Sequence, residues 1–316
     1  MTDLRTQELT EAYRQVIGDY AQVEPIALEM IEAQLKAQNI FLMTVQHRLK
    51  TESSFVEKLS RKADTIHSIQ DVTDLLGFRI ICYYSDDVDR ICDGLKQIFD
   101  LDIKKSVDKR KLLAATQFGY MAVHCICSLR EQNGFPAPLC ACKFEIQVKT
   151  VLQHAWAEIE HDLGYKTEFG IPEELRRRFS MSAGLMELGD REFVTMRDAS
   201  VTYQQHIQQM ISRDETGDIT INIVSLREFM RNNHRMLSLY DRVLTDCAIE
   251  VIHTDPMPLL RRLETLHIDS LADLSARIET GQDDLITLLQ TRLTPLRLDI
   301  ITDCQLVRML LDGDGE

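Results

Sequence analysis

The stretch FEIQVKT (144–150) runs without a break into VLQHAWAEIEHDLGYK (151–166), and the reading of the fold starts there. Its first seven residues alternate: apolar Phe144, Ile146 and Val148 against Glu145, Gln147 and Lys149. A strand projects successive side chains to opposite faces, so an acid, an amide and a base line one side of a sheet. Taken alone, such a face is a solvated one. The residues that follow change period. Leu152, Ala155, Trp156, Ile159 and Leu163 form the inward stripe of an amphipathic helix.

Two further strands show the same division. GFRIICYY (77–84) sets Arg79, Ile81 and Tyr83 against Phe78, Ile80 and Cys82. YMAVHCICSL (120–129) sets Tyr120, Ala122 and His124 against Met121, Val123, Cys125 and Cys127. If the three strands pair, Arg79, Tyr120, His124, Glu145, Gln147 and Lys149 converge on one surface. Aromatic, cationic and carboxylate groups together suit a nucleotide, where a plain solvent-facing sheet is the simpler alternative. Around these strands the chain reads as helix: 5–45, 47–62 with Ser53 or Ser54 near its start, 86–99, 151–166 and 172–213. The segment 103–111 reads as half strand and half loop, and 130–138 as a turn.

Two more elements bear on phosphate. Arg48, Lys50, Lys58, Arg61 and Lys62 face only Glu52 and Glu57, a basic island in an acidic chain. Such a run is either a solvated helix face or a polyphosphate cradle. Neither a G-x4-G-K-[ST] loop nor a G-x-G-x-x-G turn occurs, so a phosphate site here must be built from side chains. Asp74 precedes the first strand. Alone it reads as a cap or turn residue; beside Glu145 it becomes half of a divalent-cation site completed by substrate phosphates.

Composition sets the outer bounds. The 316 residues carry a net charge of -14, with 44% hydrophobic and 27% charged residues. This is an ordinary globular composition, and its acidity disfavours nucleic acid as a partner. No apolar run approaches the ~20 residues of a membrane span, and the polar opening MTDLRTQELTEAYRQ has no signal-peptide pattern; a cytoplasmic protein is expected. The pairs Cys125/Cys127 and Cys140/Cys142 read as buried free thiols on strands, since C-x-C is short for a zinc site. His154, Glu158 and His161 share a helix face, where hydrogen bonding is preferred to a metal.

RLKTESSFVEKLSRK, DLLGFRIICYY, GYMAVH and FEIQVKTVLQHAWAEIEHDLGYK, in that order and spacing over 45–166, resemble the synthetase domain of the RelA/SpoT-type alarmone synthetases. The resemblance implies an α+β fold, a mixed central β-sheet flanked by helices of nucleotidyltransferase-like type. It implies a synthetase domain over 1–213 and a helical C-terminal region over 214–316, of regulatory, self-associating or partner-binding role. It further implies transfer of the β,γ-pyrophosphate of ATP to the 3'-hydroxyl of GDP or GTP with Mg2+, releasing AMP. Carried across, Arg48 and Arg79 sandwich adenine, and Lys50, Ser54, Lys58 and Arg61 hold the ATP phosphates. Asp74 and Glu145 are the catalytic pair and the metal carboxylates, with Glu145 taking the proton of the attacking hydroxyl. Tyr120 stacks on the acceptor base; His124, Gln147 and Lys149 contact the acceptor or the transferring phosphates.

The acceptor side departs from the family pattern. Where that reads N-G-Y-x-S-x-H, this chain has Phe118 and Ala122 in place of Asn and Ser, and Lys149 stands for an Arg. Three alternatives follow: a relative that modifies the tRNA 3' end or adenine nucleotides, with Lys104 to Lys111 or Arg176 to Arg178 as its RNA dock; a non-catalytic nucleotide-binding regulator; and a purely structural helical protein. About 45 residues before the motifs are few for a hydrolase domain, so synthesis without degradation is expected. By analogy with similar small synthetases, so is a homo-oligomer.

Overall fold

The computed structural model describes residues 2–61, 65–112, 119, 121–165, 173–217, 219–293 and 299–312. Internal contacts divide it into two units, Met1–Thr195 and Met196–Glu316. The division falls inside one continuous helix, whereas the sequence break at 213/214 marks where that helix ends.

The first unit opens with helix α1 (Thr2–Ala37), followed by strand β1 (Leu42–Leu49), helix α2 (Glu52–Arg61), strand β2 (Leu76–Cys82) and helix α3 (Ser85–Ile98). Two short strands, β3 (Asp100–Leu101) and β4 (Val107–Asp108), precede β5 (Val123–Ser128), the short helix α4 (Ala137–Ala141), β6 (Phe144–Thr150) and α5 (Val151–Tyr165). Helix α6 (Glu173–Ser212) carries the chain into the second unit. The sheet runs β1-β2-β6-β5-β3, with β4 on β5. β2 and β6 are parallel and the other pairs antiparallel, a mixed sheet flanked by helices as expected.

The apolar half of each strand explains the packing. Phe78, Ile80, Phe144, Ile146, Val148, Cys125 and Cys127 are buried in one core with Val23, Ala27 and Ile31 of α1 and Val88, Ile91 and Leu95 of α3. Phe144 meets Phe78 and Phe99 edge to face, with ring centroids 5.7 and 5.2 Å apart, the geometry that the aromatic quadrupole favours. The four paired cysteines are buried, although neither Cys140 nor Cys142 is on a strand: Cys140 lies in α4 and Cys142 caps its C-terminal end, because Pro136 at the start of that helix turns the chain before β6.

Two other expectations are corrected. Residues 42–49 are a strand, not the end of one helix and the start of the next. LMTVQHRL pairs through β2 alone, so most of its positions stay open and the apolar alternation that marks the inner strands is lost. The first turn of α2 is capped by Thr51, whose Oγ1 accepts from the Ser54 amide at 3.3 Å, and not by Ser53 or Ser54.

The second unit is mainly helical: the end of α6, then α7 (Ile223–Asn232), α8 (His234–Cys247), α9 (Met257–Thr265), α10 (Leu271–Leu288) and α11 (Asp303–Asp312). Asn222 caps α7, accepting from the amides of Val224 and Ser225. Two three-residue strands unforeseen in the sequence, β7 (Glu250–Ile252) and β8 (Ile300–Thr302), pair in parallel. Buried Asp303 ties their ends together, accepting from the Thr254 amide at 3.1 Å and lying 2.9 Å from His253 Nδ1.

Candidate active site

Register turns the three polar strand faces into one. Gln46 of β1 lies opposite Arg79 of β2, Arg79 beside Gln147 of β6, and Gln147 opposite His124 of β5. The next row runs Arg48, Gly77, Glu145 and Ile126. Directly paired residues share a face, so four strands contribute to the same surface. A cleft of about 250 Å3 opens on it, lined by Arg48, Asp74, Arg79, Glu145 and Gln147 among others. Gly77 leaves the floor open: nothing lies within 4 Å of where a Cβ would be.

Glu145 is held at both oxygens. His124 Nδ1 lies 2.7 Å from Oε1 and Gln147 Nε2 donates to Oε2 at 2.9 Å. Burial pushes this carboxyl up, but the bonds from His124 and Gln147 outweigh it, leaving Glu145 below its ordinary range against the opposing charge of Asp74. Asp74 is also doubly held: Lys58 Nζ donates to Oδ1 at 2.6 Å, and Lys50 Nζ is 3.1 Å from Oδ2. Burial raises this group too, and the two ammonium groups bring it below its usual value. Both acids are therefore ionised at neutral pH.

At the other end of the face, α5 packs on β2 and β6. Lys149 is only 2% exposed there. Burial, with Arg79 and Lys109 nearby and Glu158 opposing, lowers its pKa to about 8. Arg79 donates to Glu158 at 3.2 Å, and Glu158 also lies 3.5 Å from His154. Burial and the charge of Lys149 push the His154 imidazole down.

The structure thus gathers Arg48, Lys50, Lys58, Asp74, Arg79, His124, Glu145, Gln147 and Lys149 on or beside one cleft. Ser54 and Arg61 are placed differently: Ser54 accepts from Thr51 Oγ1, and Arg61 pairs with Glu57 on its own helix. Tyr120, Phe118 and Lys62 lie outside the described residues. Sequence reasoning missed Gln46 and the role of Glu158 as partner of Arg79. The first sits on the unrecognised strand, and the second is 79 residues from its partner. In the basic run offered as an RNA dock, Arg110 pairs with Asp89 and Asp108 and Lys111 with Asp108, while Lys105 donates to the Gln70 carbonyl.

Two acids set among arginines and lysines, on the open face of a mixed sheet, form a charged cleft of side chains whose chemistry suits phosphate groups. Residues 47–169 match the family described as "Region found in RelA / SpoT proteins". The GTP pyrophosphokinase YjbM of Bacillus subtilis (strain 168) is 30% identical over 176 residues, covering 55% of this chain and 78% of that protein. The GTP pyrophosphokinase YwaC of the same organism is 29% identical over 157 residues, covering 48% and 71%. The crystal structure of the small alarmone synthetase 1 from Bacillus subtilis shares the fold, with a TM-score of 0.50 at 24% identity over 61% of this chain and 98% of that one. The chain belongs to the RelA/SpoT family. Among its described residues no helix is long and apolar enough to cross a membrane.

Proposed function

We propose that the protein transfers the β,γ-pyrophosphate of ATP to the 3'-hydroxyl of GDP or GTP. The acceptor oxygen bonds to the β-phosphorus, the α–β bridging bond breaks, and AMP leaves. The observation that carries this reading is the pair of ionised, fully hydrogen-bonded acids, Glu145 and Asp74, lining one cleft with Arg48 and Arg79. Pyrophosphoryl transfer needs in-line positioning and neutralisation of spreading charge more than covalent help. Arg48 and Arg79 carry planar guanidinium groups that stack on a base, and Lys50 and Lys58 supply charge to the phosphates. Glu145, kept ionised by His124 and Gln147, takes the 3'-hydroxyl proton. Incoming phosphates raise its basicity for that step.

The donor set suits Mg2+. Two carboxylates that feel one another's charge offer hard oxygen ligands, and this ion takes few of those from protein and the rest from phosphate and water. When bound, it would neutralise the transferring phosphates. The internal ion pairs of Arg110 and Lys111 count against tRNA as the acceptor. The acidity of the chain points the same way.

The test is one assay with γ-labelled ATP and Mg2+, offering GDP, GTP, ATP alone or deacylated tRNA as acceptor. Label moves to GDP or GTP, and Glu145→Gln lowers the rate by roughly 10²-fold or more. Label found only on tRNA or an adenine nucleotide overturns the acceptor. Transfer undiminished in Glu145→Gln overturns the assigned base.

A further inference from the structure

The strand that carries Glu145, Gln147 and Lys149 passes into α5 with no connecting residue: β6 ends at Thr150 and α5 begins at Val151. A junction without a loop takes its angle from the bonds made across it. Here they form a reciprocal box, in which the Thr150 amide donates to Gln153 Oε1 and the Gln153 amide donates to Thr150 Oγ1, both at 3.1 Å. Both side chains of that box then donate to a third group. Thr150 Oγ1 and Gln153 Nε2 reach Asp190 Oδ2 of α6 at 2.9 and 3.3 Å.

Asp190 is only 2% exposed, and its other oxygen has no hydrogen-bond partner among the described residues. A buried carboxylate half-satisfied in this way is costly, and a hydrophobic residue would serve a simple helix contact better. The approach is close enough that a Cβ on the adjacent Gly189 would meet Leu152 of α5 at 3.0 Å.

What the junction sets is the disposition of the cleft. Immediately before it lies buried Lys149, whose carbonyl accepts from the Cys82 thiol of β2 at 3.5 Å. Beyond it, α5 carries Glu158, the partner of Arg79. We infer that Asp190 is a positioning residue for the transfer reaction: by fastening the β6–α5 junction it fixes Lys149 and, through Glu158, the guanidinium of Arg79. The inference rests on the function proposed above.

Three variants decide it: Asp190→Ala, Asp190→Asn, and Ile31→Ala, a fully buried core position of α1 away from the junction. Rates are compared per folded molecule. Misplacing reacting groups by about an ångström costs up to roughly 10²-fold, so Asp190→Ala lowers kcat by about tenfold to a hundredfold and weakens equilibrium ATP binding measured by calorimetry. Asp190→Asn, whose carbonyl still accepts from Thr150 and Gln153, restores most of both. Ile31→Ala loses stability but keeps kcat and ATP affinity.

If Asp190→Ala behaves like Ile31→Ala, or raises KM at unchanged kcat, Asp190 is only a brace and the inference falls. A wild-type protein that binds ATP yet modifies no acceptor sinks the proposed function, and of this inference leaves only that the junction positions Arg79 for ATP. The ATP affinity of Asp190→Ala against that of Ile31→Ala then decides it.

Discussion

Asp190 also makes a quantitative claim on stability. Burial pushes its carboxyl up to about 6, against the bonds from Thr150 and Gln153 and with the like charge of Glu187 adding to the shift. In the unfolded chain the same group ionises near ~3.9. As pH rises through that value the unfolded chain releases a proton that the native protein still holds, so stability falls until the native group ionises in turn. Two pKa units correspond to about 3 kcal/mol in all, with ~2 kcal/mol of it developing between pH 4.5 and 7. Asn does not titrate. The stability of Asp190→Asn minus that of wild type therefore rises by ~2 kcal/mol over that interval. Any constant offset from the substituted amide drops out of the comparison. Urea unfolding reports it through the single tryptophan of the chain. Trp156 is buried on α5 and donates its indole N–H to the Phe179 carbonyl of α6 at 3.1 Å, beside the junction concerned. A difference that stays flat to within about 0.5 kcal/mol from pH 4.5 to 7 would refute the reasoning.

Lys149 predicts proton uptake on ligand binding. With its pKa lowered to about 8 by burial and by Arg79, the amine loses charge as pH rises through 8 in the absence of nucleotide, while bound phosphate favours the charged form. At pH 8 nucleotide binding should take up about half a proton, seen by calorimetry in buffers of different ionisation enthalpy. Lys149→Arg abolishes it, and uptake that persists in that variant assigns the proton elsewhere. Phe144→Ala removes a fully buried ring that meets both Phe78 and Phe99. It should cost about 3–5 kcal/mol by the same unfolding signal, and a loss below about 1 kcal/mol would show that the core relaxes around the cavity.

Most of the site's geometry was legible because a period of two survives in an inner strand. Phe78, Phe144 and Cys125 must face the core, so Arg79, Glu145 and His124 must face away, and register alone then sets them side by side. Edge strand β1 escaped the same logic. With a partner on one side only, it has no need of a repeating apolar face, and the basic residues of HRLK read as helix surface. Glu158 and Asp190 escaped for another reason. Each sits on a helix whose sequence is amphipathic with or without it, and its meaning comes from a partner tens of residues away. Local pattern can place an element. It cannot say which polar residue of one helix meets which end of a distant strand.

What the pairings imply together goes beyond any single residue. All four oxygens of Glu145 and Asp74 are engaged, by His124, Gln147, Lys58 and Lys50, and Arg79 is engaged by Glu158. In the free protein the charges that would serve a nucleotide neutralise one another, which lessens the penalty of holding them in a partly buried cleft. If ATP binds here as proposed, its phosphates compete with Asp74 for both lysines. As Lys50 and Lys58 turn toward phosphate oxygens, Asp74 is left with unpaired oxygens beside Glu145, two acids whose repulsion is already felt. On the proposed reading, phosphate capture and the freeing of the carboxylate pair are one event. Affinity for a divalent cation would then rise when ATP is present, because the exchange of partners keeps the buried charge balanced.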